Sequence, residues 1–494
     1  MYNSIQHFVE NDTTTIKKFF KQVINGEKDL ADLSNDVLEM TTNLAKNMVC
    51  EMINELDDAI RNSANRKKRF LIEKRNEKKE ILDSLGNLCF YRTGYIDKIT
   101  GEYTYLVDLL LGLEPHQRIT IGAMANILEE TIDTSYSKGG KAASLYDNAS
   151  KQTVKRLVHS MDIDMPLPEN KNKKKQKYLY IVADEDHVSA QFWNKKGDLE
   201  KNSVGDKINT IMPKLIVLYE DIINESGEKS ENPRYRLVGK RVFSGLYKGE
   251  TENIKLWEKV REYIVNTYDI DELKRVYIAG DGGAWIKAGT EIIEHSKFVL
   301  DRFHMMKYIN GTVAHLNEDD KKSAKELIWK SIDTADKEVL KETLWEIMDI
   351  TENEKKIEEI SKAYRYLRNN WDGIKIQVEE RETCGKCCAE GQVSHILSSR
   401  MSSRPMGWSE LGCDKMAKLR ALKCNGEKVI DLLRYQKEKR KLEEKREEQE
   451  KIIKQMRKNR DIARYTEKIV KEVPGIGTND MKWMRDIVDN IKFA

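Results

Sequence analysis

Three acidic residues of this chain, Asp184, Asp281 and Glu390, stand where strand and helix patterns present them for chemistry. In the segment KYLYIVADEDHVSAQFW, residues Tyr178, Tyr180, Val182, Asp184, Asp186 and Val188 share one strand face by the period-two rule. Two carboxylates thus interrupt an apolar face, and desolvating them calls for a metal, a basic partner or a bulge that turns them outward. Asp281 lies in RVYIAGDGGAWIK, after a short apolar run and among Gly280, Gly282 and Gly283. Open α/β sheets bind ligands beyond the carboxyl ends of their strands, and glycines there let a ligand approach the backbone. The spacing is not G-x-G-x-x-G, which argues against a dinucleotide site. Asp184 and Asp281 are 97 residues apart, on two strands of one predicted sheet. With a later helix-borne acid they make the hard-oxygen set that holds two Mg²⁺ (or Mn²⁺) ions about 4 Å apart for phosphoryl transfer. The segment AEGQVSHILSSRMSSRPMGWS offers Glu390 as that acid, with Arg400 and Arg404 behind it as planar donors to phosphate. Glu291 and Glu294, on the helix after Asp281, are its rivals; Glu294 is expected to point away from the strand end.

Holding these acids together requires a sheet. Three strand-like segments, KYLYIVADEDHVSAQFW, PKLIVLYEDI and YRLVGKRVFSGLY, lead into an amphipathic helix over 253–268, a strand RVYIAG, a helix from Ala284 and a strand KFVL. That order predicts a mixed α/β sheet covered by helices. From Asp301 to about Ile376 the pattern is helical for too long to be an ordinary connection, and it reads as an all-α insertion. Upstream, Leu38, Leu44, Met48, Met52 and Leu56 follow helical spacing, and the stretch from Thr14 to about Leu111 is expected to be an all-helical leader. Residues 117–160 read as three helices, around 119–132, around 138–146, and a last one with Ser150 as N-cap. A short turn at 147–149 has helix-turn-helix geometry, which would present Lys151, Gln152 and Lys155 to a DNA groove; a plain helical hairpin shares the pattern. Pro166, Pro168 and the polar tract 170–177 mark a linker before the sheet.

The chain has 494 residues, room for several domains, with 39% hydrophobic and 34% charged residues. Seven prolines and 27 glycines are too few for a fibrous or low-complexity chain. No run has the length of a membrane span and the N-terminus lacks a secretory pattern, so a cytoplasmic protein without a membrane partner is expected. The seven cysteines are odd in number and irregularly spaced, which fits a reducing compartment. Cys384 and Cys387 form a C-x-x-C, with Cys413, Cys424 or His395 as completions of a zinc site, but no second close pair exists and a thiol cluster beside Glu390 is the simpler reading. Trp408 reads as a core anchor. With 86 basic and 83 acidic residues the net charge is only +3, yet residues 61–80 hold nine Lys/Arg against three Glu, and residues 151–177 hold eight basic against three acidic. Such runs beside a candidate site favour a nucleic-acid partner. The tract 436–461, with 11 basic and 7 acidic residues, reads as a solvated helix or coiled-coil arm.

The ordered pieces DEDHVSAQ, GDGGAWIK, LDRFHMMKY and AEGQVSHILSSRMSSRPMGWS resemble the ISLre-type insertion-sequence transposases, relatives of the Mutator-like DDE transposases. The resemblance runs from about Pro115 to Arg434. It implies a ribonuclease-H-like catalytic core with a mixed sheet, Mg²⁺-dependent cleavage at transposon ends and joining of the 3′ ends to target DNA. The first acid falls on Asp184, the second on Asp281 and the third on Glu390, where Gly391 and Ser394 replace the Ser and Asn of the Mutator-like pattern. His304 resembles the histidine that follows the last core strand in that group, with Asp301 in place of its cysteine.

The sequence thus predicts an N-terminal helical domain (1–112), a helix-turn-helix domain (113–168), a core in two parts (169–305 and 386–435) around a helical insertion (306–385), and a charged helical tail (436–494). The expected partners are terminal inverted repeats, target DNA and further copies of the chain, in a dimer or higher oligomer. A structure-specific nuclease of the same fold and a non-enzymatic helix-turn-helix regulator are the alternatives.

Overall fold

A computed structural model describes residues 3–168, 172–191, 209–226, 234–385, 389–404 and 406–458, side chains being described through 447. The chain divides into two compact units, one of residues 1–157 with 429–494 and one of residues 158–428.

In the first unit a long helix, Leu30–Asn62, starts at a capping box in which Asp29 and Asp32 each accept from the other's backbone N–H. It packs on an antiparallel sheet of β1 (Phe70–Asp83), β2 (Gly86–Asp97) and β3 (Tyr103–Thr104). Asp57 joins helix to sheet by accepting from Thr93 N at 3.0 Å and Thr93 Oγ1 at 2.6 Å. This sheet corrects the expectation of an all-helical leader. The middle of β1, EKRNEKK, has no apolar alternation of its own and becomes a strand through pairing with β2. In β2 Leu88 and Phe90 are buried while Asn87, Cys89 and Tyr91 are exposed, and Gly86 at φ +124° makes the turn between the strands.

The three helices expected over 117–160 occur as Ile121–Asp133, Tyr136–Lys141 and Lys151–Ser160. Ser150 caps the last as foreseen, accepting from Thr153 N at 3.1 Å. The second helix ends earlier than expected, and residues 142–150, not a short turn, form the connection. Gly139 and Gly140 are the physical reason: a Cβ on Gly139 would meet Thr131 Oγ1 at 1.8 Å and one on Gly140 would meet Ala149 O at 2.1 Å, so close packing takes a helix-weakening pair and stops the helix. The charged C-terminal helix starts at Val429, ahead of its charged tract, and packs its buried Val429, Leu432 and Leu433 end within this unit, against the helix Ile121–Asp133.

The second unit is built on β4 (Tyr178–Glu185), β5 (Val188–Ser189), β6 (Thr210–Ile211), β7 (Lys214–Tyr219), β8 (Asp221–Asn224), β9 (Tyr235–Val238), β10 (Arg241–Gly245), β11 (Arg275–Gly280) and β12 (Ser296–Leu300). Its main sheet has the order β10-β7-β4-β11-β12; the first three strands pair antiparallel, and β4, β11 and β12 are parallel. Leu179, Ile181 and Ala183 of β4, with Ile216, Leu218 and Ile278, face the helix Gly249–Thr267 and its buried Leu256, Trp257, Val260 and Ile264. The helical insertion follows β12 as Arg302–Val313, Glu318–Asp333, Lys337–Asp349, Glu354–Asn369 and Trp371–Glu379, around a core of its own that includes Met305, Ile309, Ile328, Leu344 and Leu367. Helix Trp371–Glu379 returns to β12 so closely that a Cβ on Gly373 would lie 2.8 Å from the Phe298 ring.

One acid ties that return to the sheet. Glu380 accepts from Arg275 (3.1 and 3.2 Å), Lys297 (2.6 Å) and the Tyr277 hydroxyl (2.7 Å). Burial pushes its pKa up, but Lys297, Tyr277 and Arg275 outweigh burial and hold it below the ordinary glutamate range. Glu380→Ala leaves two cations facing each other and is expected to cost about 1–3 kcal/mol, read as a lower urea midpoint; a midpoint equal to wild type would remove Glu380 from the forces that seat the insertion.

Candidate active site

The pairing register decides which side chains meet. β4 and β11 pair with an offset of 97 residues, from Arg275↔Tyr178 to Ala279↔Val182, and β11 and β12 pair with an offset of 20, from Val276↔Ser296 to Gly280↔Leu300. Side chains of alternate residues share a face, so level rows follow: Tyr180, Tyr277 and Lys297, then Val182, Ala279 and Val299. Continued one step past the last pairs, the same register brings Asp184, Asp281 and Asp301 level at the carboxyl ends of three adjacent parallel strands. The tyrosine row is stacked, with Tyr180 centred 5.4 Å from Tyr219 and 5.8 Å from Tyr277. Between it and Asp301 lies a cavity of about 430 Å³ lined by Val299, Gln377, Arg381 and Cys384 among others.

Asp184 is buried, and one of its oxygens accepts from Glu185 N at 2.8 Å. Its pKa is pushed up to about 6, first by burial and further by the charges of Asp281 and Glu390; the Glu185 N–H and His304 pull the other way. Asp281 accepts from Gly283 N at 2.8 Å, and Gly282 holds φ +91° where a Cβ would strike the Asn370 amide. Asp301 caps the helix Arg302–Val313 through Phe303 N (3.1 Å) and meets His304 Nδ1 with its other oxygen at 3.1 Å. That hydrogen bond, with the charges of Asp184, Asp301 and Asp281, raises the His304 pKa against the effect of its burial. Sequence reasoning saw Asp301 only as a replacement for cysteine. The signal that could have found it is positional: like Asp281, it is the first residue past an apolar parallel strand.

Glu390 lies on the short helix Ala389–Val393, which packs on β4 and β7, and its charge is felt at Asp184. The helix runs on into a π-helical turn, Ser394–Ser398, whose carbonyls are met by Arg420: His395 O at 2.8 Å, and Ile396 O. The rival Glu294 is held instead by Arg261 on an exposed surface. Asp186 lies past the end of β4 and accepts from Ser402 Oγ at 2.9 and 3.1 Å, a structural tie. Glu185, on the opposite face, is register partner of the buried Lys214, whose ammonium sits 2.5 Å from Asn253 Oδ1 and over the Trp285 ring.

Two expected phosphate donors separate in the structure. Arg404 is exposed, but Arg400 is buried, its guanidinium 4.9 Å from the Trp408 ring centre, so packing against Trp408 has taken the side chain expected to hold phosphate. Trp408 is the anchor foreseen, donating to Met401 O at 3.0 Å. Lys151, Gln152 and Lys155 are all exposed on the helix Lys151–Ser160. Cys387 and Cys388 lie outside the described residues; burial pushes Cys384 up to about 11, which leaves its thiol neutral. Among the described residues no three His, Cys, Asp or Glu side chains converge closely enough to cage a metal ion. The donor set of Asp184, Asp281 and Glu390 is nonetheless all hard oxygen with mutually repelling charge, the chemistry that a divalent cation of the Mg²⁺ type satisfies.

A family model described as "Uncharacterised protein family (UPF0236)" matches residues 24–441. UPF0236 protein TTE2489 of Caldanaerobacter subterraneus subsp. tengcongensis is 34% identical over 416 residues, 84% of this chain and 83% of its own length. A second protein of that organism, whose name joins eleven designations from TTE0033 to TTE2212, is 35% identical over 84% of this chain and 82% of its own length. UPF0236 protein TTE0402 is 34% identical over 84% of this chain and 78% of its own length. All three acids, both glycines after Asp281 and the Asp301–His304 pair fall inside the matched residues, and the chain belongs to the UPF0236 family.

Proposed function

We propose that this protein is a DNA transposase of the DDE type, of the ISLre kind, which cuts the ends of an insertion sequence and transfers the freed 3′ ends to target DNA. The observation that carries this reading is the strand register: Asp184 and Asp281, far apart in sequence, are level on adjacent parallel strands, and the helix bearing Glu390 packs on the first of those strands after an all-α insertion. The order of the five-stranded sheet, with three antiparallel strands running into two parallel ones, supports a ribonuclease-H-like core. Relatives whose names join eleven or four designations from one organism also support it, because an element that moves itself accumulates copies.

In this reading Asp184, Asp281 and Glu390 hold two Mg²⁺ (or Mn²⁺) ions, which supply activation of the attacking oxygen and stabilisation of the leaving one. The chain's own residues set the stage. Backbone N–H groups of Glu185 and Gly283 fix one oxygen each of Asp184 and Asp281. Asp301 orients His304, whose hold on a proton is strengthened by that hydrogen bond and by the charges of Asp184 and Asp281. The exposed face of the helix Lys151–Ser160 is the proposed reader of the terminal repeats, and target joining calls for a second copy of the chain.

The direct test is nicking of a plasmid that carries the element ends, in Mg²⁺ and in EDTA. Asp184→Asn, Asp281→Asn and Glu390→Gln are expected to fall to background with duplex binding retained, Asp301→Asn to lose about 10–100-fold as an orienting residue, and Glu294→Gln to match wild type. Full cleavage by Asp281→Asn at saturating Mg²⁺ sinks the assignment.

The raised pKa of Asp184 gives a second measurement. The folded chain binds this proton more tightly than the unfolded one, so the group's contribution to stability is present below about pH 4 and is lost as pH rises through about 6. The melting temperature of Asp184→Asn should therefore gain on wild type across that window and then level off, and Mg²⁺ at neutral pH should stabilise wild type more than the variant. Parallel pH curves for the two proteins would contradict the burial of an ionisable Asp184 beside the other acids. For recognition, Lys151→Ala and Lys155→Ala should each lower the slope of log K against log salt by about one; slopes equal to wild type would move end-reading off this helix.

A further inference from the structure

On β1 the alternation of the sheet places Lys79 on the same face as Ile81, where a core residue is due. Lys79 is only 7% exposed, and among the described residues its ammonium has no hydrogen bond and no ion pair. It lines a cavity of about 540 Å³ together with Lys78, Arg92, His116 and Arg118. Arg118 reaches that cavity because its segment runs beside the end of β1, with Leu82 N donating to Arg118 O and Thr120 N to Leu82 O, both at 2.9 Å.

The acids nearby offset these cations only in part. Asp108 is buried and ion-paired with Arg92, Glu77 accepts from the Tyr105 hydroxyl at 2.6 Å and meets Lys74 at 3.2 Å, and Glu80 on the rim pairs with Lys78 at 2.5 Å. Arg92 is further fixed over the Tyr105 ring at 3.5 Å. What remains open to the cavity is Lys79, Arg118 and the His116 ring. Burial, then the charges of Arg92 and Arg118, pull the Lys79 ammonium below its ordinary range, with Asp108 offsetting them in part. A lysine whose stem is buried at a core position and whose ammonium ends in a cavity is completed by an anion there.

We infer that this cavity is a phosphate-binding site that holds a backbone phosphate of duplex DNA between Lys79 and Arg118. A phosphate matches it because the two donors converge from different segments, one a point charge and one a planar fork. DNA is the favoured source because the cavity is far larger than one phosphate needs and because the strand that lines it also carries exposed Lys74, Arg75 and Lys78. This inference rests on the nucleic-acid reading above and adds a contact in the first unit, away from the proposed cleavage residues in sequence.

The test uses the full chain and fluorescence anisotropy of a labelled duplex over a salt series. Lys79→Met and Arg118→Gln should each weaken binding roughly tenfold and lower the salt slope by about one, while Lys79→Arg keeps both. Lys79→Met puts an apolar side chain of similar length at a core position, so its melting temperature should be no lower than wild type; should that variant fail to fold, the exposed Arg118→Gln decides. Wild-type affinity and slope in a folded Lys79→Met or in Arg118→Gln overturn the assignment. Inorganic phosphate that raises the melting temperature of wild type but not of Lys79→Met, with duplex binding unchanged, also overturns it, in favour of a free-anion site. Absence of duplex binding by wild type would remove the nucleic-acid reading itself, a failure distinct from that of the pocket.

Discussion

Backbone pairing among β4, β11 and β12 carries the candidate site, because local hydrogen bonds fix each aspartate singly and only the strand ladder sets one beside another. A parallel ladder admits no partial shift: slipping β11 against β4 by one residue would turn Tyr277, Ala279 and Asp281 to the opposite face and bury a carboxylate among Leu179, Ile181 and Ala183. The apolar demand of that face therefore fixes where Asp281 stands relative to Asp184. The stacked tyrosines at the other end of the strands add a second lock, since Tyr180 can lie on both Tyr219 and Tyr277 only in this register.

Polar residues around the site divide into those that seat elements and those left facing the strand ends. Glu380 gathers Arg275, Lys297 and Tyr277 where the insertion returns to the sheet, Asp186 holds Ser402, and Arg420 satisfies carbonyls of the π-helical turn after Glu390. Each has its hydrogen-bond partner, as burial of polar groups requires. Asp184 instead is buried and feels the charges of Asp281 and Glu390 on top of that burial, a conflict that folding alone has no reason to keep. Lys79 of the first unit is the mirror case, a cation at a core position with no ion pair among the described residues, while Asp108 nearby is ion-paired with Arg92. Both places depart from the rule that buried charge is paired, the kind of local inconsistency expected at functional or strained sites.

Much of the second unit was legible from residue order. Apolar runs such as VYIA and KFVL end in an acid or a glycine, and the alternation in KYLYIVADE is strong, so the strands, the covering helix and the positions of Asp184 and Asp281 follow from local pattern. The helical insertion was legible for the same reason, its periodic apolar positions punctuated by the caps Asn317, Asp336 and Asn353. In the first unit the local pattern misled. The charged middle of β1 carries no strand signal, because its partner's hydrogen bonds make it a strand, and the close approach of Gly139 and Gly140 to distant atoms is invisible in a helical pattern.

Sequence alone determined which residues have the chemistry, since carboxylates at strand ends and arginines on helices are properties of type and spacing. Tertiary structure decided which of them meet. Asp301 joined the row through a ladder offset of 20 residues that no local window contains, Glu390 reached Asp184 only through the packing of its helix on β4, and Arg400 was withdrawn from solvent by Trp408. Local periodicity reports the face a residue lies on. The partner across that face is set by long-range burial and hydrogen bonding, which depend on the whole sheet at once.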